Sequence, residues 1–276
     1  MTCDDEDPTD TPPTPIPTST PSPTPTPTPT PLPWYKLKSS SFHSSQPLSN
    51  PIPAQITPFD SSDSGETSLI IGGDSTGVVS AEGRIEVAPG TISPHGWSIT
   101  DYQKNQGFLT DLTGFIQYAR ARKNVSVITE LDQIQSNMIL IYEGNLELSE
   151  ISPDEENFVL IIKGNVVIPD NLSHVFNPEK RSIAVIATGS LGINHMIREV
   201  NGILIANSYD LAHGVQSTVN PLKITGNLIS YAQIENIKRE RIDRLMPSVY
   251  VTFDPGMYED LLPHLSTILL ERRLLD

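Results

Sequence analysis

Five short apolar runs recur between Met138 and Ile234, and most end in the same small-residue break. They span Met138–Leu148, Phe158–Ile168, Ile183–Ile193, Ile203–Leu211 and Leu222–Ile229, with breaks at Gly144, Gly164, Gly189, Asn207 and Gly226. Successive breaks lie 20, 25, 18 and 19 residues apart. A repeat of about 20 residues that holds one or two short strands is the signature of a coil in a β-solenoid. The runs are too short for ordinary helices and rich in Ile, Val and Leu, which favours strand.

Superposing the breaks puts Leu140, Leu160, Val185, Ile203 and Leu222 on one parity, with Tyr142, Ile162, Ala187, Ile205 and Ile224 two residues on. Side chains alternate faces along a strand, so this set is expected to fill a coil interior. Ile139, Ile141, Ile161 and Ile186 fall on the opposite face. Such near-continuous apolar runs mark strands covered on both sides, so something should lie against that outer face. Gly and Asn tolerate tight bends, which makes Gly144-Asn145, Gly164-Asn165, Gly189, Asn207 and Gly226-Asn227 the expected coil corners. Asn145, Asn165 and Asn227 would then form a hydrogen-bonding ladder between coils. Gly-Asn also suits a two-residue hairpin, so an antiparallel meander is the competing topology.

Ahead of the repeats the chain has a different character. Twelve of its 25 prolines precede Trp34, in a segment dominated by Thr-Pro and carrying five acids but no Lys or Arg. Residues 1–33 cannot bury enough apolar surface to offset their chain entropy and are expected to form a disordered stalk or linker. The remainder, 34–276, is long enough for one domain with a sizeable core. A net charge of −15 argues against nucleic acid and anionic membrane surfaces as partners. A single cysteine, Cys3, excludes an internal disulfide framework and a Cys-rich metal site. No apolar run approaches the roughly 18 residues of a membrane span. No signal peptide is visible at Met1, whereas a Thr/Pro-rich stalk is typical of extracellular proteins. The two agree if Met1 is not the natural start or if the chain is a piece of a longer surface protein. Cys3 followed by acids and a spacer also resembles a processed lipoprotein start, although Met1-Thr2 is no lipobox.

Globular patterning begins at Trp34. Ser41–Leu48 alternates weakly as a first edge strand, and Pro47, Pro51, Pro53 and Pro58 force an irregular connection after it. Residues 68–92 read as a degenerate early coil broken at Gly83. The spacing of Leu109, Leu112, Ile116 and Ala119 predicts a helix over about 108–122, N-capped at Thr110 or Asp111. Arg120, Arg122 and Lys123 suit its C-terminal end, and this helix is the first candidate to cover the coils' outer face. Val125–Thr129 returns to strand. Val249–Phe253 is a further strand, and residues 249–276 read as a C-terminal cap. The fold class expected is all-β: a single-stranded β-solenoid, or right-handed parallel β-helix, with coils clearest over 138–234, one flanking α-helix and that cap.

Motifs for chemistry are sparse. Gly73-Asp-Ser-Thr-Gly77 matches a serine-hydrolase elbow, but a strand follows it where the elbow needs a helix, so it reads as a Gly-rich turn. His43, His95, His174, His195, His213 and His264 never pair at metal-ligand spacing. Lys238, Arg239, Arg241 and Arg244 interleave with Glu240 and Asp243, which reads as a solvated face. Asn124-Val-Ser and Asn171-Leu-Ser match a glycosylation sequon that is common by chance. No catalytic, cofactor-binding or metal-ligating residue is nominated, and no cofactor is expected.

Taken in order, the pieces resemble an uncharacterised set of large secreted or surface proteins from candidate-phyla bacteria (Patescibacteria). The likeness rests on a Thr-Pro stalk running into Pro33-Trp34 and on a segment from Phe42 to Pro53 that holds Phe-His-Ser. It continues through Gly77–Ser80, Gly96-Trp97, the Gly-Asn coils, Gly202–Ala206, Tyr250–Pro255 and Leu261–Pro263. The last stretch departs, with Ile268 to Asp276 in place of a Trp-containing tail. A looser similarity joins the chain to bactofilin-type polymer-forming solenoids. The resemblance implies a surface-exposed β-solenoid with no assigned activity or site residues. The functional expectation is a non-enzymatic structural or adhesive module at the cell surface or secreted, with cell-envelope components or extracellular polysaccharide as partners. A carbohydrate-binding or polysaccharide-degrading β-helix and a self-assembling polymer former are the alternatives.

Overall fold

The computed structural model describes residues 34–40, 42–44, 48–63, 65, 70–71, 78–81, 85–87, 97–99, 112–148, 157–169, 182–215, 220–236, 239 and 245–265. Contacts divide the chain into Met1–Thr30 and Pro31–Asp276, and every described residue belongs to the second unit. The proposed stalk, the Gly73–Gly77 motif, the helix cap at Thr110 or Asp111, and the chain beyond residue 265 lie outside the described residues.

Sixteen strands and two α-helices are described. In chain order they are β1 (Tyr35–Lys38), β2 (Phe42–Ser44), β3 (Leu48–Asn50), β4 (Ile70–Ile71), β5 (Val78–Ala81), β6 (Ile85–Val87), β7 (Trp97–Ile99), α1 (Leu112–Arg122), β8 (Val125–Ile128), β9 (Ile139–Glu143), β10 (Leu146–Glu147), β11 (Phe158–Lys163), β12 (Val166–Ile168), β13 (Ile183–Asn194), β14 (Glu199–His213), β15 (Leu222–Asn236), β16 (Val249–Thr252) and α2 (Pro255–Leu265). Every strand pair described is parallel. That rules out the antiparallel meander. The molecule is an all-β parallel solenoid.

β13, β14 and β15 run on through their corners, with the register shifting between Ala187 and Ser190 and between Ala206 and Ser208, and the pairings resolve three walls. The first runs through residues 199–202 of β14, 222–225 of β15, β16, β1 and β4. The second contains β8, β9, β11, the first legs of β13, the middle of β14 and β15, then β2, β5 and β7. The third contains β10, β12 and the last legs of β13, β14 and β15. The stacking order departs from the chain order at one place. The main path reads β4-β1-β16-β15-β14-β13-β11-β9-β8, so the first coils of the chain stack on its last strand. Residues 68–92, expected as an early coil, supply β4, β5 and β6 to that far end, and Trp34, where globular patterning begins, leads into its neighbour β1, a strand the sequence pattern did not predict.

One column of the second wall holds Leu140, Leu160, Val185, Leu204 and Leu228, so its coils are 20, 25, 19 and 24 residues long, the differences between those numbers. This corrects two placements. Ile203 and Ile205 were expected inside, yet Val185 pairs Leu204 and Ala187 pairs Ala206. The corner of β13 holds Thr188 and Gly189 where that of β14 holds Asn207 alone, so aligning the breaks slips the fourth run by one residue and turns its side chains over. Gly226 and Asn227 belong to a different corner from Gly144 and Asn145. Gly226 pairs Gly202 and Asn227 pairs Ile203, one wall earlier in the coil.

The interior cluster runs the height of the stack, from Ile128 and Ile134 through Leu140, Leu160, Val185, Leu204 and Leu228 to Trp34, Tyr35 and Leu37. At the β8 end a 3-10 turn, Leu131–Gln133, carries half-buried Leu131 and buried Ile134 onto this core. A second apolar cluster lies outside the second wall. Ile139, Ile141, Val159, Ile161, Ala184, Ile186, Ile203 and Ile205 meet Ile116 and Ala119 of α1 and Met257 and Leu261 of α2. The expected cover therefore exists, and two helices share it. α2 opens with Asp254 accepting the Gly256 N–H (3.0 Å) and Pro255 in its first position, where a missing N–H costs nothing. Lys123 joins the helices by donating to the Pro263 carbonyl (2.6 Å), and Ser182 ties α2 to β13 through Asp260 (2.7 Å).

Candidate functional site

The predicted corners come first. Gly144 has φ of 119°, a conformation that favours glycine. Gly164 and Gly189 are needed for a different reason. A Cβ on Gly164 would lie 2.2 Å from the Gly144 carbonyl oxygen, and one on Gly189 would lie 2.2 Å from Asn165 Oδ1. Close stacking, and not backbone conformation, requires these glycines. The ladder is present in part: Asn145 Oδ1 accepts the Asn165 N–H (2.9 Å), and Asn165 Oδ1 accepts the Ser190 N–H (2.9 Å). Asn227 is not in it. Its Oδ1 accepts from Ser40 (2.8 Å) and its Nδ2 donates to the Tyr258 hydroxyl, tying the far coil and α2 to β15. Asn207 is an exposed corner residue whose carbonyl accepts from Ser230 (3.3 Å).

The densest polar constellation is elsewhere, on the outer side of the first wall. Tyr35 and Leu37 point into the core, so alternation turns Lys36 outward. The register then stacks Lys36, Tyr250, Lys223 and Glu199 in one column. Across it runs the turn Phe59–Asp63, which follows the proline-rich connection. Asp63 contacts Lys36, and Asp60 contacts Lys223 (2.7 Å). The Phe59 ring lies 5.4 Å from that of Tyr250, whose hydroxyl donates to the Ser62 carbonyl (3.2 Å). The backbone N–H groups of Phe59 and Gly65 donate to the Asp63 carboxylate, each at 3.1 Å. The Lys36 and Asp63 side chains are both 0% exposed. Partial burial pushes the Asp60 carboxyl up, but Lys223 and the Ser62 donors more than offset it and leave it below its ordinary value. Burial, opposed by the Ser62 hydrogen bond and reinforced by Asp63 and Asp60, pushes the Tyr250 phenol up to about 12.

A third node sits among the loops of the later coils. Arg239, read from sequence as solvated, is fully buried. Its guanidinium donates to the carbonyls of Leu211, Ile197 (2.6 Å), Asn220 (3.2 Å) and Asn194 (2.8 Å). Burial pulls it below its ordinary value, while the Asp210 carboxylate pulls the other way. Nearby, partly exposed His213 contacts Asp210 through Nδ1 (3.2 Å), and its ring lies over Gly192, whose missing side chain makes the space. His264, on α2, is lowered by burial and by Lys123.

Among the described residues no three His, Cys, Asp or Glu side chains come together in a way that could hold a metal, and no described helix is long and apolar enough to cross a membrane. No family model, curated protein or solved structure matches this chain.

Proposed function

We propose that this chain is a non-enzymatic structural or adhesive module, secreted or at the cell surface, carried by its Thr/Pro-rich stalk. The observation that supports it is where the stalk joins the fold. The chain leaves the Thr-Pro segment into Trp34, which is fully buried, and then into β1, which lies parallel to β16 with Tyr35 opposite Val249 and Lys38 opposite Thr252. Tension between the stalk and the chain beyond β16, once α2 has lifted from the second wall, would pull β1 from its first residue and β16 from its last. That loads their shared hydrogen bonds together, in shear, where a hairpin would open one bond at a time. The coils from β8 to β14 enter this load path only through α2, which packs on their outer face and is tied to Ser182 through Asp260. Such a connection suits a domain that holds a tether.

The test is single-molecule pulling in two geometries. Force applied through residue 1 and a handle at the exposed Pro255, just after β16, shears β1 against β16. Force applied through residue 1 and a handle at the exposed Leu245, just before β16, peels the same pair from one end. The shear geometry should withstand a force several times larger, and equal rupture forces would remove the support for this reading. Protease shaving of intact source cells tests the location, since a chain protected until lysis is not on the surface.

A further inference from the structure

We propose that Lys36 and Asp63 are the two halves of a self-forming amide cross-link, a covalent modification site on the first strand of the fold. Both side chains are wholly buried and in direct contact, 27 residues apart in sequence. A lysine amine shielded from water is a competent nucleophile once it gives up its proton, and the Asp63 carboxylate in contact with it can take that proton. The carboxyl group is held for attack from two sides: the Phe59 N–H donates to Oδ2 and the Gly65 N–H donates to Oδ1, each at 3.1 Å.

The step balances within the pair. The ammonium passes one proton to Asp63 Oδ1, and Nζ attacks Cγ to give a tetrahedral centre whose negative charge rests on Oδ2, on the Phe59 N–H. Fixed backbone donors aimed at such an oxyanion stabilise it without reorganising. A second nitrogen proton moves to Oδ1, the Cγ–Oδ1 bond breaks, and Oδ1 leaves as water. Nζ keeps one hydrogen, an Nζ–Cγ amide remains, and nothing is oxidised or reduced. Exclusion of solvent matters in both directions, because it removes the water that would hydrolyse the product and draws the released water outward. Tyr250 stands beside the pair in the Lys36 column and, as a neutral phenol, adds no competing nucleophile at neutral pH. The cross-link would fasten β1, the strand next to the stalk, to the turn that straps the first wall.

The deciding measurement is the intact mass of the purified full-length chain after unfolding. The cross-linked chain is one water lighter than its sequence, and tryptic mapping finds a branched peptide joining Lys36 to Asp63, uncut after Lys36. Asp63→Ala and Lys36→Met return the chain to its sequence mass. Asp63→Asn forms the same branched amide with loss of ammonia. A wild-type chain at its full sequence mass after days of incubation in the folded state overturns the proposal, as does a lost water that maps elsewhere. Should either variant fail to fold, the wild-type mass and map decide alone. The mass readout is independent of rupture force, so this proposal and the functional reading can fail separately.

Discussion

The first and second walls of the stack are sealed from outside by opposite means. The second wall turns Ile139, Ile141, Val159, Ile161, Ala184 and Ile186 outward and lays α1 and α2 over them, so each strand is apolar on both faces. The first wall turns out Lys36, Lys223 and Tyr250 and covers them with one turn, Phe59–Asp63, held by two ion pairs and a ring contact. An apolar seal draws its energy from buried area, roughly 25 cal/mol per Å², so each truncated side chain costs in proportion to the area and packing it loses. A polar seal concentrates its energy in a few partners, and each loses most of its worth when the other is removed.

The largest effect is expected not at either seal but at the corners, where the close stacking of coils sets the whole column. Gly164→Ala places a Cβ 2.2 Å from a backbone oxygen of the coil below, and backbone has nowhere to move without breaking the ladder. The expected loss is on the order of 3–5 kcal/mol or failure to fold, seen as a collapse of the urea midpoint. A change below about 1 kcal/mol would mean the coils can spread, and the close-packed column at Gly144, Gly164 and Gly189 would lose its meaning.

Next comes the doubled apolar seal. Leu160 faces the interior and Ile161 faces the helices, and both are 0% exposed. Truncating either to Ala should cost roughly 2–5 kcal/mol, and the two losses should be similar. Val127, in β8, is 55% exposed, and Val127→Ala should cost no more than about 0.5 kcal/mol. Equilibrium unfolding of the three variants compares them directly. If Ile161→Ala behaves like Val127→Ala, the helices do not cover the wall.

The same contrast explains what could be read in the sequence. The apolar seal is written locally: Ile139 and Ile141 break a period-2 pattern within one run, so the need for a cover is visible before its identity is known. The parallel stack was legible for the same reason, because each coil repeats its own instructions. The polar seal is written between residues far apart. Lys36 meets Asp63 and Lys223 meets Asp60, 163 positions away, and nothing near Asp60 announces a lysine. The strand Tyr35–Lys38 was not expected at all, because its four residues hold no repeat signal, and no local pattern says that it stacks on β16. Arg239 misleads in a similar way. Acidic neighbours in sequence suggest a wet face, whereas its partners are carbonyls gathered from the ends of several coils. The slipped fourth run shows the limit of repeat alignment, since one missing corner residue reverses inside and outside.

The polar seal should answer to pH where the apolar one does not. The Asp60 carboxyl is lower in the folded chain than in the unfolded one, so its contribution is fully present above the unfolded value near 3.8 and is lost as pH falls through the folded value. Asp60→Asn should flatten the acid limb of a melting-temperature profile below about pH 4, with a modest cost of about 1 kcal/mol or less at neutral pH, because this pair is partly solvated. An unchanged acid limb would show that the strap holds without the Asp60–Lys223 pair.

The smallest effect is expected at the corner ladder, which lies outside both seals. Asn165→Ala removes the acceptor for the Ser190 N–H and hydroxyl, and Asn145→Ala removes the acceptor for the Asn165 N–H. Each lost acceptor faces solvent, so water replaces it and each variant should lose about 0.5–1 kcal/mol. Asn165→Ala leaves its own backbone N–H in place, still bonded to Asn145, so the two rungs do not share a group. The double variant should therefore lose the sum of the single losses to within about 0.5 kcal/mol. A coupling larger than that would mean the asparagines act as one cooperative column that sets coil spacing, and the corners would then belong with the glycines among the residues that position the stack.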